Sequence, residues 1–260
     1  MPQVHLDTIP ILDAFALDSE CPLCALERKM EAQFVDIALG GAMMEPDTRI
    51  ATNKEGFCGK HFAQMFAMQQ KLPLALMTHT HLRDVMTSLD DHEKELIKAM
   101  EQEKKKNGLQ KAAGSVTKNS PLYKQVEALA DHLEGRMSSC YICGRMEKTM
   151  ERYLETLCYL YKKDSSFKAT FKASKGFCVH HFAPLLRAGE KYLSGDTLTD
   201  YLSDLLDVQN HNLSRTEHDL EWFTLKFNYQ NQDKPWGESK DAVERTLNKL
   251  QGNVIVSEDK

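Results

Sequence analysis

Four short cysteine and histidine motifs constrain this chain more than any other feature. Cys21-Pro22-Leu23-Cys24 is answered by Cys140-Tyr141-Ile142-Cys143, 119 residues later. Gly56-Phe57-Cys58-Gly59-Lys60-His61-Phe62-Ala63 is answered by Gly176-Phe177-Cys178-Val179-His180-His181-Phe182-Ala183, 120 residues later. The two motifs stand 33 residues apart in the first half and 34 in the second, a difference that one loop residue absorbs. At the same offset Leu82, Asp84, Val85 and Met86 face Leu202, Asp204, Leu205 and Leu206. Self-similarity at a fixed period marks a repeat architecture. The repeats are read as residues 1–105 and 121–250, joined by a linker at 106–120 and followed by a tail at 251–260. The linker holds Gly108 and Gly114, and Ser120 before Pro121 predicts a helix start.

Periodicity places each motif at the start of a helix. After Cys24 the apolar residues fall at Leu26, Met30, Phe34 and Ile37; after Cys143 they fall at Met146, Met150, Tyr153, Leu154, Leu157 and Tyr161. Either spacing makes one helical stripe. Phe62, Met65 and Phe66, and likewise Phe182, Leu185 and Leu186, continue the second motif. Longer stripes follow through Leu82, Val85, Met86, Leu89, Leu96, Ile97 and Met100, and through Leu198, Tyr201, Leu202, Leu205, Leu213, Leu220, Phe223 and Phe227. No strand pattern competes. The expected fold is all-α, with two related helical repeats packed about a pseudo-twofold and a Cys3His site at helix N-termini in each.

The motifs have the chemistry of metal ligation. Cys58 and His61 are three residues apart, as are Cys178 and His181, so on a helix both side chains lie on one face. Thiolates and a neutral imidazole are the usual ligands of tetrahedral zinc, and four of them close a structural site. The positive end of a helix favours thiolate over thiol. A redox dithiol explains C-x2-C but leaves Cys-x2-His unexplained. The expected ligands are Cys21, Cys24, Cys58, His61, Cys140, Cys143, Cys178 and His181, holding two zinc ions. An iron–sulfur cluster is the alternative cofactor, since clusters use Cys and sometimes His. Cys21 and Cys24 can close with Cys58 and His61 within a repeat, or with Cys178 and His181 across the repeats. The shorter loop favours closure within the repeat.

Other residues carry less. Cys158 has no counterpart and is expected to be a buried thiol. Met43 to Arg49 is the most distinctive unrepeated segment, with Glu45, Asp47 and Arg49 as candidates for gripping a ligand carboxylate or phosphate. His79, His81, His180, His211 and His218 are read as ordinary histidines. No nucleophile elbow, phosphate loop or H-E-x-x-H is present. Four protein ligands per ion leave no position for a catalytic water, so the reading leans away from an enzyme.

Composition excludes some partners. The formal net charge of -5 is poor for gripping a phosphate backbone, so nucleic acid is not an expected partner. No apolar run reaches the ~18 residues of a membrane helix. The start of the chain lacks a basic stretch followed by an apolar run, so a cytoplasmic location is expected, with the seven cysteines reduced.

The Cys-Pro-Leu-Cys start, the long gap and Gly-Phe-Cys-x-x-His resemble a bacterial family of unknown function that is frequent in anaerobic Gram-positive bacteria. Met44 to Arg49 is similar to the corresponding stretch of its members. The resemblance covers most of the chain and implies no activity. Two functions are expected to compete: a zinc-stabilised helical protein that binds a protein or small-molecule ligand, with a homodimer as one arrangement, and an iron–sulfur redox protein or enzyme of anaerobic metabolism.

Overall fold

A computed structural model describes residues 4–105 and 120–254. Every regular element among them is helical, as expected: α1 (Val4–Ala16), α2 (Pro22–Leu39), α3 (Pro46–Glu55), α4 (Gly59–Ala67), α5 (Lys71–Lys104), α6 (Pro121–Ser138), α7 (Tyr141–Lys163), α8 (Ser165–Ala173), α9 (Val179–Tyr192), α10 (Gly195–Leu225) and α11 (Ala242–Gln251). Short 3-10 turns lie at Gly41–Met44, Tyr229–Asn231 and Gly237–Ser239. Of the expected linker only Ser120 is described, and it caps α6 by accepting from Tyr123 N–H at 3.4 Å. The tail beyond Val254 also lies outside the described residues.

The chain forms two compact units. One is Met1–Glu31 with Glu147–Lys260, and the other is Ala32–Met146. The divisions fall inside α2 and α7, so each unit takes the start of one of these helices and the end of the other.

The first unit is built around aromatic rings. Phe15 of α1 meets Phe167 of α8 at 5.1 Å between centroids, and Tyr161 of α7 meets Tyr201 of α10 at 5.1 Å. Phe171 lies 5.5 Å from Phe177 and 5.7 Å from Tyr201. Such edge-on and tilted pairs add to the stabilisation from burial. The buried hydroxyls are satisfied: Tyr201 donates to Leu185 O at 3.1 Å, and Tyr161 donates to Asp204 at 2.6 Å. Asp164 caps α8, accepting from the N–H groups of Ser166 and Phe167.

In the second unit α5 packs along α6, with Arg136 paired to Asp84 at 2.9 Å and the His92 and His132 rings 4.4 Å apart. Leu39, Met65, Met77 and Ile142 are among its most deeply buried side chains. Here the expected stripes are corrected. Ile37 is exposed, and Val35, Ala38 and Leu39 are buried instead. Phe66, Leu82, Met86, Ile97 and Met100 are exposed as well, as is Phe227 in the first unit. The 34-residue α5 is covered by α6 along part of its length and by α3 near its start, which leaves part of its apolar stripe in solvent. No described helix is long and apolar enough to cross a membrane.

Candidate metal centres

All four motifs meet their helices in the same way. The first cysteine stands immediately before the helix, and the second ligand follows three residues later, in the first turn. Cys58 and Cys178 are the N-cap residues of α4 and α9. Cys21 and Cys140 precede α2 and α7, and their carbonyls accept the N–H groups of Ala25 and Gly144 at 3.3 and 3.0 Å. The sulfur thus occupies the place where Ser or Asp would satisfy an orphan N–H; Cys178 Sγ accepts from His181 N at 3.4 Å. Gly56 and Gly176 supply the positive φ, 64° and 77°, that turns the chain into the Cys-x2-His motif.

Eight donors gather into two groups that could each hold a metal ion, and within a group the ligand atoms lie within 4.8 Å of one another. The first group is Cys21, Cys24, Cys178 and His181. Its contacts are Cys24 Sγ to Cys178 Sγ, 3.5 Å, and His181 Nδ1 to the sulfurs of Cys178, Cys24 and Cys21, 3.2, 3.4 and 3.6 Å. The second group is Cys58, His61, Cys140 and Cys143. Here His61 Nδ1 is 3.2 Å from Cys58 and Cys140 and 3.5 Å from Cys143, and Cys58 lies 3.8 Å from Cys143. Closure within the repeat is therefore overturned. Each C-x2-C pair joins the Cys-x2-His of the other half of the sequence, and each group falls inside one compact unit.

The spacing suits one ion. Zinc–sulfur and zinc–nitrogen bonds of ~2.3 and ~2.05 Å in a tetrahedron put sulfurs about 3.8 Å apart, and sulfur about 3.6 Å from nitrogen. Without an ion, the thiols share protons unequally. Burial opposes the Cys21 thiolate, but hydrogen bonding from Cys178, Cys24 and His181 outweighs it and holds Cys21 well below the usual thiol range. Hydrogen bonds to Cys178 and Cys21 push Cys24 upward. Burial likewise opposes the charged His181, yet Cys178 and Cys21 raise it to about 10. In the second group burial is again outweighed at Cys140, where His61 brings the thiol down to about 6. Burial and Cys140 push Cys143 up to about 12. A divalent cation removes this competition, because it deprotonates every thiol it binds.

A family model matches residues 3–257, nearly the whole chain. The chain belongs to the family of unknown function DUF6062. No curated protein and no solved structure matches it.

The surroundings of the two groups in this DUF6062 chain differ, although their donors are the same. In the first, Cys21, Cys24, Cys178 and His181 are all buried. The last turn of α11 closes over it: a Cβ at Gly252 would lie 3.5 Å from Cys24 Sγ and 3.6 Å from Cys178 Sγ. Lys249, fully buried, donates to Glu20 O at 2.7 Å and to Lys175 O, tying the strand of chain before Cys21 to the one before Cys178. Glu20 faces Lys249 at 3.1 Å and Arg215 at 2.6 Å. Gln209 brackets Phe177, accepting its N–H and donating to its carbonyl, both at 3.0 Å. Glu27 stands 3.7 Å beyond His181 Nε2, where a carboxylate orients a ligating imidazole. In the second group Cys143 is exposed and Cys58 half-buried. Its two motifs are tied directly: Ser139 Oγ donates to Glu55 O at 2.6 Å, and Tyr141 N–H to Gly56 O at 2.9 Å.

The supporting residues were not singled out in the sequence. The signal for them was the repeat register, in which Ser139 answers Glu20 and Glu55 answers Lys175. Lys249 has no such signal. Of the candidate ligand segment, Glu45 and Asp47 are exposed at the start of α3. Arg49 turns onto α5, donating to Leu76 O at 2.9 Å and Thr80 Oγ1 at 2.6 Å. Elsewhere, a cavity of about 400 Å³ beside the first group is lined by Asp18, Glu20, Cys21, Cys24, Arg28 and Arg245, among others. Cys158 is buried as expected, and burial pushes its thiol up to about 12.

Proposed function

We propose that the chain is a helical binding protein held in shape by two structural zinc ions. One observation carries this reading: each Cys3His group converges on a point with the edge lengths of a single tetrahedral ion. An iron–sulfur cluster spreads its ligands over two or four irons, and thiolates gathered this tightly suit it poorly. With four protein ligands, neither ion keeps an open position for a substrate or water, which supports a scaffold over a catalyst. Two zinc-held crossings tie residues far apart in the chain, including Cys24 to Cys178 and Cys58 to Cys143. A small ligand has a place beside the first ion, in the cavity where Arg28 offers a guanidinium. A ligand acid group suits that guanidinium.

Elemental analysis of protein purified without oxygen, read together with its visible spectrum, tests the proposal. Two zinc ions per chain and no visible band are expected, since d¹⁰ zinc is colourless. Iron with inorganic sulfide and a brown colour would replace this reading with a redox one.

A further inference from the structure

We propose that the second centre is a peroxide-sensitive modification site, in which oxidation joins Cys58 to Cys143 and expels the ion. The proposal rests on the metal reading above and adds to it a division of labour between two centres with the same donors. Oxidation of cysteine follows thiolate character and exposure. A bound cation keeps all six ligating cysteines as thiolates, so exposure decides between them. Cys21, Cys24 and Cys178 are 4%, 8% and 0% exposed, and Gly252 sits so near that a Cβ there would meet the sulfurs of Cys24 and Cys178 at 3.5 and 3.6 Å. Cys140 is 8% exposed. Cys143 is open to solvent, and Cys58 is half-buried with its sulfur 3.8 Å away. An exposed thiolate beside a second one is the arrangement in which a sulfenic acid is resolved to a disulfide.

The chemistry balances with hydrogen peroxide as the oxidant. The Cys143 thiolate attacks one peroxide oxygen; an S–O bond forms, the O–O bond breaks, and hydroxide leaves. The Cys58 thiolate then attacks the sulfur of the resulting sulfenic acid; an S–S bond forms, the S–O bond breaks, and a second hydroxide leaves. Two thiolates have given up two electrons, and the peroxide has taken them. The sulfurs close from 3.8 Å to the about 2.05 Å of a disulfide. The ion is left with Cys140 and His61 alone, and it departs. A dithiol reductant reverses the bond and lets zinc return.

The test is titration of the zinc-loaded full chain with hydrogen peroxide in the presence of a chromogenic zinc chelator, followed by peptide mapping of alkylated and disulfide-linked cysteines. One of the two ions is expected to leave, with a Cys58–Cys143 disulfide in the map and Cys21, Cys24 and Cys178 still reduced. Dithiothreitol and added zinc are expected to restore both. A Cys24→Ser variant, carrying only the second ion, is expected to release all its zinc; a Cys143→Ser variant, carrying only the first, should release none. Loss of both ions together, retention of both, or a disulfide at other cysteines overturns this proposal and leaves the metal reading standing. A chain that carries no zinc before peroxide is added overturns the metal reading, and this proposal with it.

Discussion

At the scale of single residues, the first candidate centre is framed by charges that are not among its four donors. Lys249 holds two backbone carbonyls and the Glu20 carboxylate from a fully buried position. Lys249→Met keeps the volume of the stem but leaves those acceptors unpaired. Breaking a buried ion pair from one side costs about 3 kcal/mol, so chemical denaturation of this variant should show a loss of that order, with the first centre losing zinc before the second. Glu20 gives a pH signature. Burial works against its carboxylate, but Arg215 and Lys249 outweigh it and hold its pKa below the usual range. A carboxyl depressed in the folded state contributes stability above its unfolded value, near ~4.3, and the contribution is lost as pH falls through the folded value. The denaturation midpoints of the wild type and Glu20→Gln should therefore differ most at neutral pH and converge below about pH 4. A gap that stays constant with pH would remove Glu20 from this role. The eight Cys and His donors that gather into the two groups were legible in the sequence because their chemistry is rare and their spacing repeats. Lys249 was not, because an isolated lysine near the end of a helix reads as a solvated surface residue until the fold buries it.

At the scale of elements, the helix starts were readable and the helix faces only partly so. Ser120 with Pro121 marked α6, and the Cys motifs marked α2, α4, α7 and α9, since caps are local chemistry. Ile37, Phe66 and Met86 lie on the apolar stripes yet are exposed, since a stripe records which face is apolar and not what covers it. The same limit applies to Arg49, whose partners lie on α5 and cannot be seen from its neighbours in sequence. The turn into α4 offers a sharp test. Gly56 has φ 64°, and a Cβ there would lie 2.6 Å from the His81 ring, which itself is 2.8 Å from Asn53 O. Gly56→Ala must strain the backbone by about 1–2 kcal/mol and push the imidazole aside. Thermal unfolding should show that loss, and His81→Ala combined with Gly56→Ala should recover the steric part while leaving the backbone part.

At the scale of the whole molecule, the crossing of motifs between halves is the alternative that sequence reasoning ranked second, and loop entropy explains why. The comparison of a 34-residue with a 154-residue separation, as for Cys24 to Cys58 or to Cys178, is worth only about 1.3 kcal/mol. Burial of one aromatic side chain is worth as much. After Cys24 the chain continues along α2, about 27 Å long at 1.5 Å per residue, and ends in the other compact unit, where Cys58 and His61 begin α4. Metal counts of paired variants separate the two topologies without a structure. With the crossed ligand sets, Cys24→Ser and Cys178→Ser remove the same ion, so the double variant should still bind one zinc. Cys24→Ser with Cys58→Ser breaks both centres and should bind none. Closure within the halves demands the reverse: one zinc in the second double variant and none in the first. Native mass spectrometry of the two proteins side by side would read the difference as a single zinc mass, and the reversed pattern would overturn the crossed fold itself.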